Sequence, residues 1–218
     1  FLAADADEVI WNGRVWGLPG YTNVRGLYWN VDLASEIGLD STRAPADMVE
    51  LEEWARRGLR TDGEGRIVRV GFVPWDGSFG AAGWFWAFGG EIYDSVTVEP
   101  TLTREENVRA WEWMQEWAER YPPTQFNLAY AGPSASAHGR FMGGSYVAVT
   151  GADNLTATLA RIAPDLNYAT GKVPHPEGGR NGSWGGGIGH VIPVGTQHKE
   201  EALAFLRWLS IEGQRILY

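Results

Sequence analysis

The sequence predicts an α/β fold, and three observations carry that reading. Short runs rich in β-branched and aromatic residues alternate along the chain with amphipathic helical stretches. The 218 residues suffice for one large domain or two small ones. Hydrophobic residues at 44 % against 21 % charged describe a chain able to bury a core. No run approaches the roughly 20 consecutive apolar residues that a membrane span needs.

The elements follow in order. Residues 14–19 (RVWGLP) and 24–30 (VRGLYWN) read as short strands, with 20–23 between them turn-like or locally extended. A short helix spans 31–37, stopped by Gly38. Residues 47–57 form a clearer helix: Met48, Leu51, Trp54 and Ala55 share one face, and Asp47 and Glu50 have capping-box spacing. After the turn 61–65 (TDGEG) comes a strand over 67–73. The loop 74–77 (PWDG) leads to an apolar helix over 79–88, ended by Gly89-Gly90. The best helix is 103–121, with Thr103 and Glu106 as a capping box and Val108, Trp111, Met114, Trp117 and Ala118 as its apolar stripe. Strands over 146–150 and 188–194, and helices over 155–162 and 199–209, complete the alternation, with a shorter helix to the end.

Composition narrows the function classes. A net charge of −9 argues against nucleic acid, whose phosphates favour a basic face. Zero cysteines exclude disulfides, thiol catalysis and cysteine-ligated metal sites. Neither a G-x-S-x-G elbow nor a phosphate-binding glycine loop occurs. His138, His175, His190 and His198 are scattered, so no metal site and no cofactor is expected. Asp76, Glu91, Asp94 and Asp153 are carboxylates that could pair as in a glycosidase, and spacing alone does not decide whether two converge.

Two abundances are unusual: 29 glycines, close to twice ordinary usage, and twelve tryptophans. Aromatic and small polar residues gather at strand ends and in glycine-rich loops. They are Tyr21, Thr22 and Asn23; Trp75 and Asp76; Asp153 and Asn154; and Ser183, Trp184 and Gly185. Loops at strand ends are where α/β proteins take ligands. A sugar ring has an apolar face and a rim of hydroxyls, so its receptor needs a flat aromatic beside Asp and Asn side chains. Glycine beside tryptophan lets the backbone approach closely. With no catalytic motif, these clusters favour binding over catalysis. Trp184, beside Gly185–Gly187, is expected to face the ligand.

The order of segments then resembles a known family. VWGLPGYTNVRGLYWNVDLASEIGL, GFVPWDG, WFWAFGGEIYD, ENVRAWEWM, RFMGGSYVAVTGADNLTATL, APDLNYA, SWGGGIGHVIP and KEEALAFLRWLSIEGQRILY follow one another from about Trp11 to Tyr218. This succession is similar to the family 1 extracellular solute-binding proteins, the maltose-binding-protein-like receptors of bacterial carbohydrate ABC importers. The resemblance implies a periplasmic-binding-protein-like lobe with a mixed central sheet flanked by helices, plus part of the partner lobe. It implies two lobes joined by crossing segments, ligand between them, and closure about the hinge on binding. Residues 18–24 resemble the first crossing and 184–193 the second, and the two should run side by side. The division is then 1–17 (end of the first-lobe segment), 18–190 (second lobe with the crossings) and 191–218 (return to the first lobe).

The implied partners are a carbohydrate ligand and a membrane permease, with no nucleic acid and a monomeric full-length state. The implied location is extracytoplasmic, in the periplasm or as a cell-surface lipoprotein, with any signal lying upstream of Phe1. The chain reads as a fragment lacking the opening half of the first lobe and a C-terminal helical segment. Gly151-Ala152-Asp153-Asn154 stands where relatives often carry an aromatic. A carbohydrate-active enzyme and a same-fold receptor for a non-sugar solute are the alternatives.

Overall fold

The computed structural model describes residues 3–122, 136–181, 183 and 185–217. They fall into two units, Phe1–Val24 with Gly185–Tyr218, and Arg25–Trp184. The chain starts in the first unit with α1 (Ala3–Asp7) and a hairpin of β1 (Ile10–Trp11) and β2 (Arg14–Val15). Asn12 and Gly13 both adopt left-handed φ, +51° and +69°, as a two-residue hairpin turn requires. The strand β3 (Leu18–Asn30) is thirteen residues long and passes from the first unit into the second after Val24.

The second unit continues with α2 (Val31–Glu36), whose N-cap Asn30 accepts the Leu33 N–H at 2.9 Å. Next is α3 (Met48–Gly58), where the Asp47 carboxylate accepts the Glu50 N–H at 2.8 Å. The Glu50 carboxylate does not close the expected box: it takes the Ala46 N–H at 2.8 Å and Arg43 instead. β4 (Arg60–Thr61) and β5 (Ile67–Arg69) pair antiparallel, and β5 is shorter than its sequence run. The chain then forms α4 (Gly80–Ala87), the hairpin β6 (Tyr93–Asp94) and β7 (Glu99–Pro100), and α5 (Glu105–Arg120). It closes with α6 (Ala137–Met142), β8 (Ala148–Ala152), α7 (Leu155–Ile162) and β9 (Tyr168–Gly171).

The sheet of this unit is mixed. β3 lies antiparallel between β8 and β9, with Leu27 opposite both Thr150 and Gly171. On the other side of β8 the backbone just after β5 runs parallel, and the Val147 and Ala148 N–H groups donate to the Val70 and Gly71 carbonyls, each at 2.9 Å. Leu27 and Trp29 face one apolar cluster with Leu51, Trp54, Phe72, Trp84 and Trp117; Tyr28 faces the other with Val70, Phe141, Val149 and Leu159. Phe72 anchors the first cluster by edge contacts to Trp84 at 6.1 Å and Trp117 at 5.7 Å.

The α5 helix departs from its expected stripe. Its buried arc is Asn107, Ala110, Met114 and Trp117, while Val108 and Trp111 are exposed. The cause is the buried Asn107 amide, which donates to the Glu91 and Thr101 carbonyls at 2.7 Å each and rotates the helix to satisfy both. Arg104, not Thr103, is the N-cap, and no side chain caps the helix.

Back in the first unit, β10 (Gly185–His190) pairs antiparallel with β3, Gly185 opposite Val24 and His190 opposite Leu18. The segments 18–24 and 185–190 therefore run side by side, as expected, and 20–23 are strand, not turn. Gly20 serves close packing there: a Cβ on it would lie 2.5 Å from the His190 ring. The ladder shifts register between Ile188 and Gly189, opposite Pro19, which has no N–H to donate. The strand expected over 188–194 thus lies further upstream, because pairing with β3 outweighs the low strand propensity of four glycines. The chain ends in α8 (Lys199–Trp208), a π-turn over Leu209–Gly213 and α9 (Gln214–Leu217). No residue of α8 is buried, and Phe205 and Trp208 stack on each other at 6.0 Å. No helix among the described residues is long and apolar enough to cross a membrane.

Candidate functional site

In the second unit two groups of predicted residues are tied to β8, one by the loop over 74–79 and one by the turn into α7. The loop after Val73 lies along the end of β8: Ser78 N–H donates to the Thr150 carbonyl at 2.9 Å and Phe79 N–H to its hydroxyl at 3.2 Å. Gly77 sits beside Thr150 with φ +97°, and a Cβ there would lie 2.5 Å from the Thr150 oxygens. Only glycine fits that contact. The same loop is held from behind by the Trp84 indole N–H, which donates to the Pro74 carbonyl at 2.8 Å.

Trp75, at the loop's centre, is half-buried and packs against both apolar clusters. Asp76 is more constrained. Its Oδ2 accepts a bond from the Arg140 guanidinium and one from the Tyr146 hydroxyl at 2.7 Å, and its Oδ1 faces the Gly77 N–H at 3.1 Å. Arg140 is itself buried and lies over the Tyr146 ring, 5.3 Å from its centroid. His138 adds a further tie, its Nε2 3.2 Å from the Ser78 hydroxyl and 3.3 Å from the Thr150 carbonyl.

β8 ends at Ala152, and Asp153 and Asn154, both exposed, lead directly into α7. Asp153 Oδ1 accepts the Asn154 N–H at 3.0 Å and its carbonyl accepts the Thr156 hydroxyl at 2.7 Å. Beneath them Tyr28 donates to the Ala152 carbonyl at 2.9 Å and stacks on Tyr168 at 6.1 Å. Burial, then the neighbouring Tyr168 and the Asp153 charge, push the Tyr28 hydroxyl up to about 12. Arg25 pairs with Ala152 at the same end. The Ser183 hydroxyl accepts the Arg25 N–H at 2.7 Å and donates to its carbonyl at 2.5 Å, doing with a side chain what a strand partner does with backbone.

The first unit holds the other predicted residues on one ladder. Tyr21, Thr22 and Asn23 of β3 face Ile188, Gly187 and Gly186, and Gly185 faces Val24. Tyr21 is exposed, while Thr22 donates its hydroxyl to the Asp5 carboxylate. The Gly187 N–H is taken by Glu8 at 2.9 Å. Trp184, predicted to face the ligand, lies outside the described residues. Sequence reading missed Arg140, Tyr146 and His138. The signal for Arg140 was an arginine beside Phe141 and Met142 in a short apolar helix, a place where a charge needs a specific partner. Among the described residues no group of His, Asp and Glu could hold a metal ion.

Comparison with known proteins gives a family and several solved structures of similar fold. Residues 2–215 match the family described as bacterial extracellular solute-binding protein. The maltooligosaccharide ABC transporter solute-binding lipoprotein of Streptococcus pneumoniae (strain ATCC BAA-255 / R6) is 23% identical over 215 residues, covering 95% of this chain and 48% of the relative. Among solved structures, CpMnBP1 with mannobiose bound superposes with a TM-score of 0.85 at 28% identity, over 95% of this chain and 53% of that one. Maltose-bound MalE3 of T. maritima gives 0.74 at 21% identity, over 98% and 55%. The chain spans about half the length of the curated relatives it matches.

Proposed function

The chain belongs to the bacterial extracellular solute-binding protein family, and from that premise we propose that it binds a short oligosaccharide and presents it to the membrane permease of an ABC importer. The proposed setting is extracytoplasmic, as a periplasmic protein or a lipoprotein, with a monomer as the working form. Residues 18–190 are proposed as the second lobe with its crossing segments, and 1–17 and 191–218 as parts of the first.

The observation that carries the reading is that the loop bearing Trp75 and Asp76 is pinned through Gly77 and Ser78 to Thr150 of β8, the strand that leads into the exposed Asp153 and Asn154. An indole on that loop and an exposed carboxylate and amide past the end of the strand are the residue types a sugar needs, since it offers C–H faces and hydroxyls together. On the first unit Tyr21, Thr22, Asn23 and Gly185 are the proposed contacts. Mannobiose bound to a relative of 28% identity supports the ligand class. Binding is favoured over hydrolysis because the Asp76 Oδ2 already serves Arg140 and Tyr146, which leaves it poorly placed as the second carboxylate of a glycosidase pair.

Titration calorimetry of the full chain with mannobiose, maltose and maltotriose tests this reading. Saturable heat is expected with at least one of them, and Trp75→Ala should weaken it at least about tenfold, ~1.4 kcal/mol. No heat with any sugar would overturn the reading. So would steady release of reducing sugar that stops in Asp153→Asn.

A further inference from the structure

The two carboxylates tied to β8 have different surroundings. Asp76 gives Oδ2 to Arg140 and Tyr146 and Oδ1 to Gly77, and its side chain is 23% exposed. Asp153 is exposed, and only its Oδ1 accepts a bond among the described residues, from Asn154 next to it. A carboxylate offers about four lone-pair sites, and each one used inside the protein is withdrawn from a ligand. Arg140 is 7% exposed at its side chain, and a buried cation needs its anion. The pair therefore fixes a backbone position, and the residue immediately before it in the loop is Trp75.

We propose that Asp76, Arg140 and Tyr146 form a positioning triad that sets the angle of Trp75, and that Asp153 alone of the two carboxylates accepts a hydrogen bond from the ligand. The assignment rests on the sugar-binding reading above for its ligand, but not for its geometry. The chain of contact is short. Tyr146, on the approach to β8, belongs to the second apolar cluster, and Arg140 stands on α6 between that cluster's Ala137 and Phe141. Asp76 transmits that rigidity to the loop, and Trp75 packs against the same cluster. Losing the carboxylate frees the loop's centre while Gly77–Phe79 stay pinned to Thr150.

The test labels the full chain with 5-fluorotryptophan and assigns the Trp75 fluorine line through Trp75→Phe. Asp76→Asn and Tyr146→Phe should each move that line without any sugar present, and their double variant should move it little further than Asp76→Asn alone. Asp153→Asn should leave the line in place. With mannobiose, Asp153→Asn should lower affinity at least tenfold at unchanged melting temperature, and Tyr146→Phe should lower it severalfold together with the shifted line. Tyr146→Phe keeps the ring and takes away only the hydroxyl, so it reports even if Asp76→Asn does not fold. The proposal falls if both triad variants leave the Trp75 line unmoved, or if their effects on mannobiose affinity are additive. It falls equally if Asp153→Asn binds as tightly as the parent. Failure of the parent to bind mannobiose, maltose or maltotriose overturns the sugar reading and with it the Asp153 role, while the fluorine line still decides the triad.

Discussion

The two units bury their apolar side chains to very different degrees. In Arg25–Trp184, two clusters close over both faces of a sheet, and Leu27, Leu51, Trp84, Trp117, Phe141 and Leu159 are all shut off from solvent. In the other unit Val9 is the only large apolar side chain buried among the described residues, while Trp11, Val15, Trp16, Val191, Val194, Phe205, Trp208 and Ile211 are exposed. Both nevertheless form helices and paired strands. The difference teaches that a helix such as α8 can be specified by its own pattern and yet derive little tertiary stability, because helical stability in proteins comes mostly from packing of the apolar face.

The sharpest way to break that contrast is hydrogen exchange on the full chain. Amides of β8 should be protected at least about a thousandfold more than those of α8, since the first exchange through near-global unfolding and the second through local opening. Equal protection would mean that the first unit has a core of its own. A smaller effect is expected from truncating one tryptophan in each unit. Trp117→Ala should cost about 3–5 kcal/mol in urea unfolding, whereas Trp208→Ala, at a side chain left in solvent, should stay within about 0.5 kcal/mol. The smallest effect concerns backbone strain inside the well-packed unit. Val98 has φ +61°, a region that costs a β-branched residue about 1–2 kcal/mol. Val98→Gly should therefore raise the midpoint of thermal unfolding by a few degrees, against the entropy that glycine adds to the unfolded chain.

Most of the fold was legible because periodicity and caps are local. Residues 155–162 read as a helix and are one, and Asp47 and Gly38 mark helix ends as their chemistry requires. What the sequence left open or placed elsewhere depended on partners distant in sequence. Residues 20–23 read as turn-like or extended, and close packing of Gly20 against the His190 ring goes with the extended form, while the stripe of α5 turns toward Asn107, whose amide meets two carbonyls outside the helix. The site divides the same way. Trp75, Asp153 and Asn154 stand out as residue types at strand ends, whereas the roles of Arg140 and Tyr146 arise from Asp76, 64 and 70 positions away. No local pattern encodes a separation of that kind.

One contact in the first unit sets limits on how this protein can change. A methyl on Gly187 would fall 1.8 Å from the Tyr21 carbonyl, so that position of β10 admits no side chain at all, whereas Gly185 two residues before it has nothing nearer than 3.9 Å to a Cβ. Variation at this rung of the ladder can therefore be written only across from it, at Thr22. The rung has one editable letter, and the page facing it stays blank.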